Sequence, residues 1–314
     1  MQTSPQTTVN CLLCGSRQSR IVEQMSGREL RALWRELGYE FTPGAWGPIL
    51  EEYQVSLQEC GACGFKFFDP ALAATEDFYR DFDDPGYYAA KRPEFVRALE
   101  FARTKGSRRI LDVGCGQGDF LDLAGRAGFE TQGLELNRAA AEVAGSKGHK
   151  VHTKLLHEID RDQTAGGFDL ITLFQVLEHV PAPVSVLQQA SALLNAGGYI
   201  SVAVPSTEGI YRFASLDPAQ WPPHHLSRWR LDDFATLASA AGLKVAERGG
   251  DVLFGSDIEH VWTLDSRARR VLGKRPRWRG ARLAKLVSFV YRKTGMKFVF
   301  PHCGVSIYAC FRQP

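Results

Sequence analysis

The sequence predicts an α/β fold built on a mostly parallel β-sheet, and three observations predict it. Between residues 108 and 204, short apolar runs alternate with segments of helical periodicity, which is typical of strands joined by crossover helices. The first apolar run ends in a glycine-rich turn at residues 114–118. Two identical Cys-x-x-Cys-Gly units, beginning at Cys11 and Cys60, precede this region and indicate a separate small module.

Composition excludes several classes of protein. With 314 residues, 44% of them hydrophobic and 23% charged, the chain can bury the core of a large domain and is not disordered. Its polar N-terminus lacks the pattern of a signal peptide. No apolar run approaches the roughly 20 residues that span a bilayer. We therefore expect a cytoplasmic protein with reduced cysteines.

The cysteine pairs predict a metal site. Cys11 and Cys14, with Cys60 and Cys63, offer four thiolates from two tight turns, which is the ligand set of a closed, structural zinc site. We assign residues 1–68 to this zinc-binding module and expect an elaborated loop between the pairs. Three other cysteines are predicted to be small buried residues: Cys115, Cys303 and Cys310.

After the module, the periodicity predicts a helical connector or lid at residues 69–105 and a main domain at residues 106–314. The Gly197-Gly198 pair is expected to end the helix before the fifth strand. The predicted strands are 110–113, 131–136, 150–153, 168–174, 199–204, 244–247 and 305–311, and the predicted helices are 119–127, 137–147, 184–195 and 231–241.

The glycine turn indicates a ligand site, because glycines let the backbone approach a ligand and the following helix offers free amides. Asp119 stands where a dinucleotide fingerprint would place its third glycine. Glu135, at the end of the second strand, can accept hydrogen bonds from both ribose hydroxyls. The pattern therefore predicts a ligand with a ribose and no diphosphate, although a purely structural turn stays open.

Residues 111–118 resemble the first motif of the class I S-adenosylmethionine-dependent methyltransferases, and the resemblance continues through residues 133–137, 168–170, 175–180 and 193–198. It implies a Rossmann-like seven-stranded methyltransferase sheet, with a helical insertion before the last strand. It also implies that S-adenosylmethionine is the cofactor. The residues that it implies for cofactor binding are Asp112, Gly114, Cys115, Gly116, Gly118, Glu135, Leu136 and Gln175, with Tyr88 as a lid residue or simply a packing aromatic.

An oxygen acceptor must lose its proton during methyl transfer, and a neutral histidine is the usual group that takes it. His179 follows the fourth strand, and His224 and His225 lie in the excursion after the fifth. We predict His225 as the base, with His224 as its alternate and His179 nearer the cofactor. A structural role for each of them stays open.

Charge is divided unevenly along the chain. All 35 acidic residues lie at or before Asp265, whereas 13 of the 38 basic residues follow it, most of them in segment 266–297. Such a segment suits a phosphate-bearing acceptor, such as a nucleotide sugar or lipid-linked glycan, or an anionic membrane surface. Pairing with the acidic body or with a second subunit, as in a homodimer, is the alternative.

The Cys-x-x-Cys-Gly units and the Pro222-Pro223-His224-His225-Leu226 segment resemble a bacterial group found with cell-surface sugar and natural-product pathways. We therefore predict methyl transfer to an oxygen of a sugar, a glycan precursor or a natural-product small molecule. A sugar C-methyltransferase is the alternative. RNA methylation is a further one, but a nucleic acid is disfavoured, because Val204-Pro205-Ser206 stands where base-amino methylation tends to use an Asn-Pro-Pro-Tyr type motif.

Overall fold

The N-terminal module is built on an antiparallel pair of strands, β1 (Ser19–Ser26) and β2 (Gln54–Cys60), followed by the short β3 (Lys66–Phe67). The structure is a computed structural model that describes residues 9–82, 92–162, 164, 166–251, 255–274, 289 and 304–314, without the side chains of residues 255–260 and 262.

The prediction of an elaborated loop between the cysteine pairs is wrong, because a strand, a helix and a second strand occupy this stretch. Helix α1 (Gly27–Glu36) starts at a capping box, in which the Ser26 side chain accepts from the Glu29 amide and the Glu29 carboxylate accepts from the Ser26 amide. A short 3₁₀ turn follows at Pro43–Trp46. The glycines and prolines that suggested a loop lie in or near this turn and not in the strands.

The connector contains a 3₁₀ turn at Pro70–Leu72 and two helices, α2 (Glu76–Asp81) and α3 (Pro93–Thr104). Phe78 on α2 is fully buried among module residues such as Trp34. Phe95 on α3 packs instead against core residues of the main sheet. The connector therefore contacts both the module and the main domain.

The main domain is the predicted α/β fold. Its sheet has seven strands in the order β10-β11-β8-β7-β4-β5-β6, and the five from β8 to β6 run parallel, whereas β11 is antiparallel to β8 and to β10. The strands are β4 (Arg109–Val113), β5 (Glu130–Leu134), β6 (Lys150–His152), β7 (Phe168–Phe174), β8 (Leu194–Pro205), β10 (Lys244–Gly250) and β11 (Ser306–Arg312).

Helices complete the α/β alternation, and six of the seven residues of the central β7 are buried, as expected for a parallel sheet whose two faces are covered. The helices are α4 (Asp119–Arg126), α5 (Arg138–Ser146), α6 (Pro183–Ala192), α7 (Asp233–Ala241) and α8 (Gly255–Val271), with 3₁₀ turns at Leu156–Glu158, Ile210–Phe213 and Pro218–Gln220.

Two predicted boundaries are wrong. Helix α6 ends at Ala192, and Gly197 and Gly198 lie inside β8. There the pairing of β7 with β8 shifts, so that Phe168 pairs with Leu194 but Leu170 pairs with Tyr199. The glycines therefore serve a strand irregularity, which fits the φ of +75° at Gly197.

The predicted insertion before the last strand begins earlier than residue 266, because α8 starts at Gly255. Ala268 packs in the same cluster as Trp34 of the module. Arg269 pairs with Asp265 at 2.7 Å, and Lys274 lies 3.9 Å from Glu29 of the module. This described part of the basic segment thus contacts the protein's own acidic groups. Residues 275–288 and 290–303 lie outside the described residues. None of the described helices is both long and apolar enough to cross a membrane.

The module's sheet takes its fourth strand from the main domain. The short strand β9 (Ser227–Arg228) pairs with β3, with Lys66 opposite Arg228 and Phe67 opposite Ser227. Phe65 and Phe67 share a hydrophobic cluster with residues of the main sheet. The module therefore pairs with and packs against the chain segment between β8 and α7.

Replacing Gly133 in β5 by alanine should destabilise the protein by about 1–3 kcal/mol, because the added Cβ would lie 2.5 Å from Cys115 Sγ and 3.0 Å from Leu121 Cδ1. The matched control is Gly145→Ala in α5, where the Cβ meets nothing within 4 Å and should stabilise the helix by about 0.5–1 kcal/mol. Chemical denaturation measures both. Equal stability of the two variants would contradict the close packing of β5 on the glycine turn.

Candidate active site

The glycine turn lies between β4 and α4 at the carboxyl end of the parallel strands. Gly114, Gly116 and Gly118 have φ values of +74°, +52° and +83°, which side chains rarely adopt. A Cβ on Gly114 would lie 2.8 Å from Val176 Cγ2. The Gly114 amide donates to the Leu134 carbonyl at 2.7 Å. The positive φ and the close packing therefore both require glycine at position 114.

Two buried carboxylates adjoin the turn. Glu135 accepts hydrogen bonds from the Gly116 and Asn137 amides, both at 2.8 Å, and burial raises the pKa of its carboxyl. Asp112, at 3% exposure, accepts from Thr172 Oγ1 at 2.6 Å. Burial raises the pKa of Asp112 to about 7. Glu135 thus holds the turn in shape and keeps acceptor capacity for a ligand.

Cys115 and Leu136, two further residues predicted for the cofactor, follow Gly114 and Glu135 directly in the sequence. Cys115 is buried, as predicted, and so is Cys310. Leu136 is 59% exposed beside Glu135, as an apolar residue at a ligand site can be. Tyr88 and Cys303 lie outside the described residues.

Gln175 has a left-handed backbone, with φ of +56° in a residue that is not glycine, a conformation that marks strained positions at functional sites. Its Nε2 donates to Glu94 Oε1 and to Ser306 Oγ, both at 3.2 Å. Glu94 is 5% exposed on α3, and burial raises its pKa. Sequence reasoning missed Glu94, since an acid in the first turn of a helix has an ordinary capping explanation.

The three predicted histidines form one cluster. The ring centroids of His179, His224 and His225 lie 4.6 to 4.8 Å from one another. One ring nitrogen of each lies within 4.8 Å of the corresponding nitrogens of the other two. His179 Nδ1 contacts the His224 carbonyl at 2.7 Å, and His224 Nδ1 contacts the Ala219 carbonyl at 3.0 Å. The structure therefore brings together what the sequence separates by 45 residues.

Burial sets the charge of this cluster. His224 and His225 are 4% and 5% exposed. Burial lowers the pKa of His179 to about 4 and that of His224 to about 3, and with the nearby His224 it places the pKa of His225 well below its usual range. All three imidazoles are therefore neutral at pH 7 and offer lone pairs.

Glu178 is a second residue that sequence reasoning left without a role. Its side chain is 1% exposed, and its Oε1 lies 3.8 Å from His179 Nε2. Burial raises the pKa of Glu178 to about 8. Neither carboxyl oxygen has a hydrogen-bond partner among the described residues. Only burial, which a sequence does not show, distinguishes it from a surface acid beside a histidine.

The module and the connector close one side of the cluster. The His224 ring lies 6.1 Å from Trp34 of α1, 5.9 Å from Phe78 of α2 and 5.2 Å from Phe82. These apolar rings exclude water from the imidazoles. Elements from three parts of the chain therefore build the histidine cluster.

The four predicted metal-ligating cysteines also meet. Cys11 and Cys63 have their sulfur atoms 3.6 Å apart, as do Cys14 and Cys60, and all four sulfurs lie within 4.8 Å of one another. A tetrahedral zinc with Zn–S bonds of about 2.3 Å places its sulfurs roughly 3.8 Å apart. All four thiols are free, and the spacing fits zinc.

A polar cavity of about 130 Å³ lies between the module and the excursion after β8. Lys66, Arg212 and Arg228 line it together with Glu23, so that cations outnumber the carboxylate. Arg228 is 7% exposed and its Nη1 lies 3.1 Å from Glu23 Oε2. The cavity has the charge and the donors to receive an anionic group.

These groups can support methyl transfer. Val176 packs against Gly114, and its carbonyl accepts from the His179 amide at 3.0 Å. The glycine turn and the histidine cluster are therefore neighbours, joined by the loop after β7. A ligand on the turn and an acceptor at the imidazoles would therefore be close to each other, and this proximity favours transfer between them.

Known proteins share this region. Residues 85–248, just over half of the chain, match the family described as a methyltransferase domain. A ubiquinone biosynthesis O-methyltransferase of Vibrio parahaemolyticus is 34% identical over 107 residues, which are 32% of this chain and 46% of that protein. Its namesake in Nitrosococcus oceani is 39% identical over 131 residues, which are 38% of this chain and 54% of that protein. The chain thus spans about half the length of these curated relatives.

Solved structures with a similar backbone include a SAM-dependent methyltransferase from Archaeoglobus fulgidus, at 16% identity and a TM-score of 0.44, covering 70% of this chain and 94% of that one. Another is a plantazolicin methyltransferase in complex with SAH, at 14% identity and a TM-score of 0.46, covering 73% and 87%. The family match includes the six helices and strands from β4 to β7, and it extends into β10. The chain therefore belongs to the class I S-adenosylmethionine-dependent methyltransferases.

Proposed function

We propose that the protein transfers a methyl group from S-adenosylmethionine to an oxygen of a small molecule. The observation that carries this proposal is the cluster of three neutral imidazoles, which Val176 connects to the glycine turn. Neutral imidazoles offer lone pairs that can accept a hydrogen bond from an incoming hydroxyl group. The names of the relatives support oxygen as the accepting atom, because those proteins are called O-methyltransferases.

The residues of the turn fit the cofactor. We assign the methionine part to the glycine turn with Asp112, the ribose to Glu135, and the rim to Leu136, Gln175 and Tyr88. Bound there, S-adenosylmethionine supplies an electrophilic methyl group on a sulfonium. In their ionised form, the carboxylates of Asp112 and Glu135 would attract that cation.

We assign the activation of the acceptor oxygen to the histidine cluster, with His225 receiving the proton, His224 as its alternate and His179 nearer the cofactor. His225 Nδ1 has no hydrogen-bond partner among the described residues. The surrounding aromatic rings exclude water, which strengthens the hydrogen bond to an incoming hydroxyl. The O–CH₃ bond forms as the S–CH₃ bond breaks, and the electron pair of that bond stays on sulfur.

For the acceptor we propose a sugar, a glycan precursor or a natural-product molecule that carries phosphate. The cavity lined by Lys66, Arg212 and Arg228 supports an anionic group, and so does the basic composition of segment 266–297. Its contact with a membrane surface or with a second subunit stays a prediction. C-methylation is the second candidate, because a neutral imidazole can also take a proton next to a carbonyl. We place the reaction in the cytoplasm, where thiols stay reduced.

The test of this function is the release of S-adenosylhomocysteine from methyl-¹³C-labelled cofactor in the presence of phosphorylated sugars, sugar nucleotides and phenolic compounds. We expect turnover with at least one acceptor, and a ¹³C chemical shift of an O-methyl group in the product. A C-methyl shift would select the second candidate. Cofactor binding without turnover on any hydroxylated acceptor would contradict the proposal.

Glu135→Ala should weaken S-adenosylmethionine binding roughly 10- to 100-fold, because hydrogen bonds to a charged group contribute about 1.5–3 kcal/mol. Titration calorimetry measures this affinity. The control is Glu142→Ala, on the exposed face of α5, which should bind as the wild type does. Unchanged affinity of the Glu135 variant would remove this residue from the cofactor site.

His225→Ala should lower kcat by about 10²- to 10⁴-fold, the contribution of a positioned proton acceptor, with little change in cofactor affinity. Single-turnover rates with saturating cofactor check this. His157→Ala, an exposed position, is the control and should keep full activity. Wild-type turnover in the His225 variant would contradict its assignment.

We propose that the four cysteines hold a structural zinc. Cys14→Ser should lose one equivalent of zinc and lower the melting temperature, because the ion supplies folding energy. Cys14 is exposed, so the change removes little packing. Cys310→Ser, a buried position, should lower stability but keep the zinc. Metal analysis with thermal melting separates the two, and a Cys14 variant with full zinc content would exclude the site.

A further inference from the structure

We infer that His179, His224 and His225 form a second metal site, which takes a divalent first-row transition ion and is distinct from the four-cysteine site. One nitrogen of each ring lies within 4.8 Å of those of the other two. Nothing in the family match or in the names of the relatives assigns a metal to these residues. The inference rests on the proposed function only for its catalytic meaning, since ion binding is measurable without turnover.

The hydrogen bonds of two rings fix their tautomers. Backbone carbonyls only accept, so His179 Nδ1, 2.7 Å from the His224 carbonyl, and His224 Nδ1, 3.0 Å from the Ala219 carbonyl, must each carry the hydrogen. The lone pair of each ring is then on Nε2. Metal-ligating histidines commonly donate their other nitrogen to a backbone carbonyl, which orients the ring.

The electrostatics of the cluster favour a cation. One nitrogen from each of the three neutral imidazoles lies in this cluster, and Glu178 Oε1 lies 3.8 Å from His179 Nε2 at its edge. Hydrogen-bond acceptors that face one another in a dry site repel unless a donor or a cation lies among them. A divalent ion would satisfy the convergent nitrogens together, whereas one hydroxyl can donate to only one of them.

The donor set also selects the ion. Three imidazole ligands suit zinc, cobalt, nickel or iron, whereas magnesium and calcium prefer oxygen. At Zn–N distances of about 2.0–2.1 Å a tetrahedral ion places its nitrogens roughly 3.4 Å apart. The ligand nitrogens of the three rings lie within 4.8 Å of one another. A small inward movement of each ring would bring them to this separation.

Three ligands leave a fourth position open, unlike the four-cysteine site. His179 keeps 12% of its side chain exposed, so the cluster is reached from its side. An acceptor hydroxyl bound at the open position would release its proton to water more readily, because a metal ion lowers the pKa of a bound oxygen. His225 then acts as a ligand to the ion that activates the same oxygen.

The experiment measures zinc and cobalt content in the full-length protein and in three variants: His179→Asn, His225→Gln and the control His157→Asn. We expect about two equivalents of metal in the wild type and the control, and about one in the other two. In the cobalt form, thiolate-to-cobalt absorption should persist in all four proteins, which reports an intact cysteine site and fold. The visible d–d bands of the nitrogen-ligated ion should disappear in the two cluster variants only.

A wild-type protein with one equivalent, lost on Cys14→Ser, would overturn the inference. Two equivalents retained in both cluster variants would overturn it as well. These outcomes are distinguishable from failure of the proposed function: a one-metal enzyme that still methylates an oxygen acceptor, and loses that activity in His225→Ala, keeps His225 as the proton acceptor without an ion.

Discussion

The backbone of Leu226 is the constraint on which the histidine cluster depends. Its amide donates to the Glu178 carbonyl at 2.6 Å, and its carbonyl accepts from the Phe68 amide at 2.8 Å. The first bond ties the His224-His225 pair to the loop after β7, which also carries His179. The second ties it to the N-terminal module. One residue therefore connects the His224-His225 pair both to the loop that carries His179 and to the module.

This arrangement gives the module a part in the active site. The cysteine cluster holds β2 and β3, and β3 pairs with β9. The histidine pair is separated from β9 only by Leu226. Trp34 of the module and Phe78 of the connector then cover His224, so both parts shield the imidazoles from water. A metal bound by the four cysteines would stabilise the position of the acceptor-side groups without touching the acceptor.

Local patterns predicted the parts of the molecule that local physics decides. The parallel strands, helix α5 and the clustering of the four cysteines are readable from spacing and side-chain chemistry. The strand pairing between the module and β9 was not, because two-residue strands carry no periodicity. Nor were the roles of Glu94 and Glu178, since burial comes from packing between distant segments. The helix end predicted at Gly197 and Gly198 is wrong, because glycine suits both a helix end and an irregular strand.

We propose that a cofactor on the glycine turn would have its sulfur close to the histidine cluster, because the loop after β7 contacts both. Anomalous scattering at the zinc edge, from crystals grown with S-adenosylhomocysteine and zinc, tests it most directly. The account predicts two metal peaks, one among the cysteine sulfurs and one among the imidazole nitrogens, with the cofactor's sulfur on the open side of the second. A ligand bound with its sulfur turned away from His179 and His225, and a single peak at the cysteines, would contradict it.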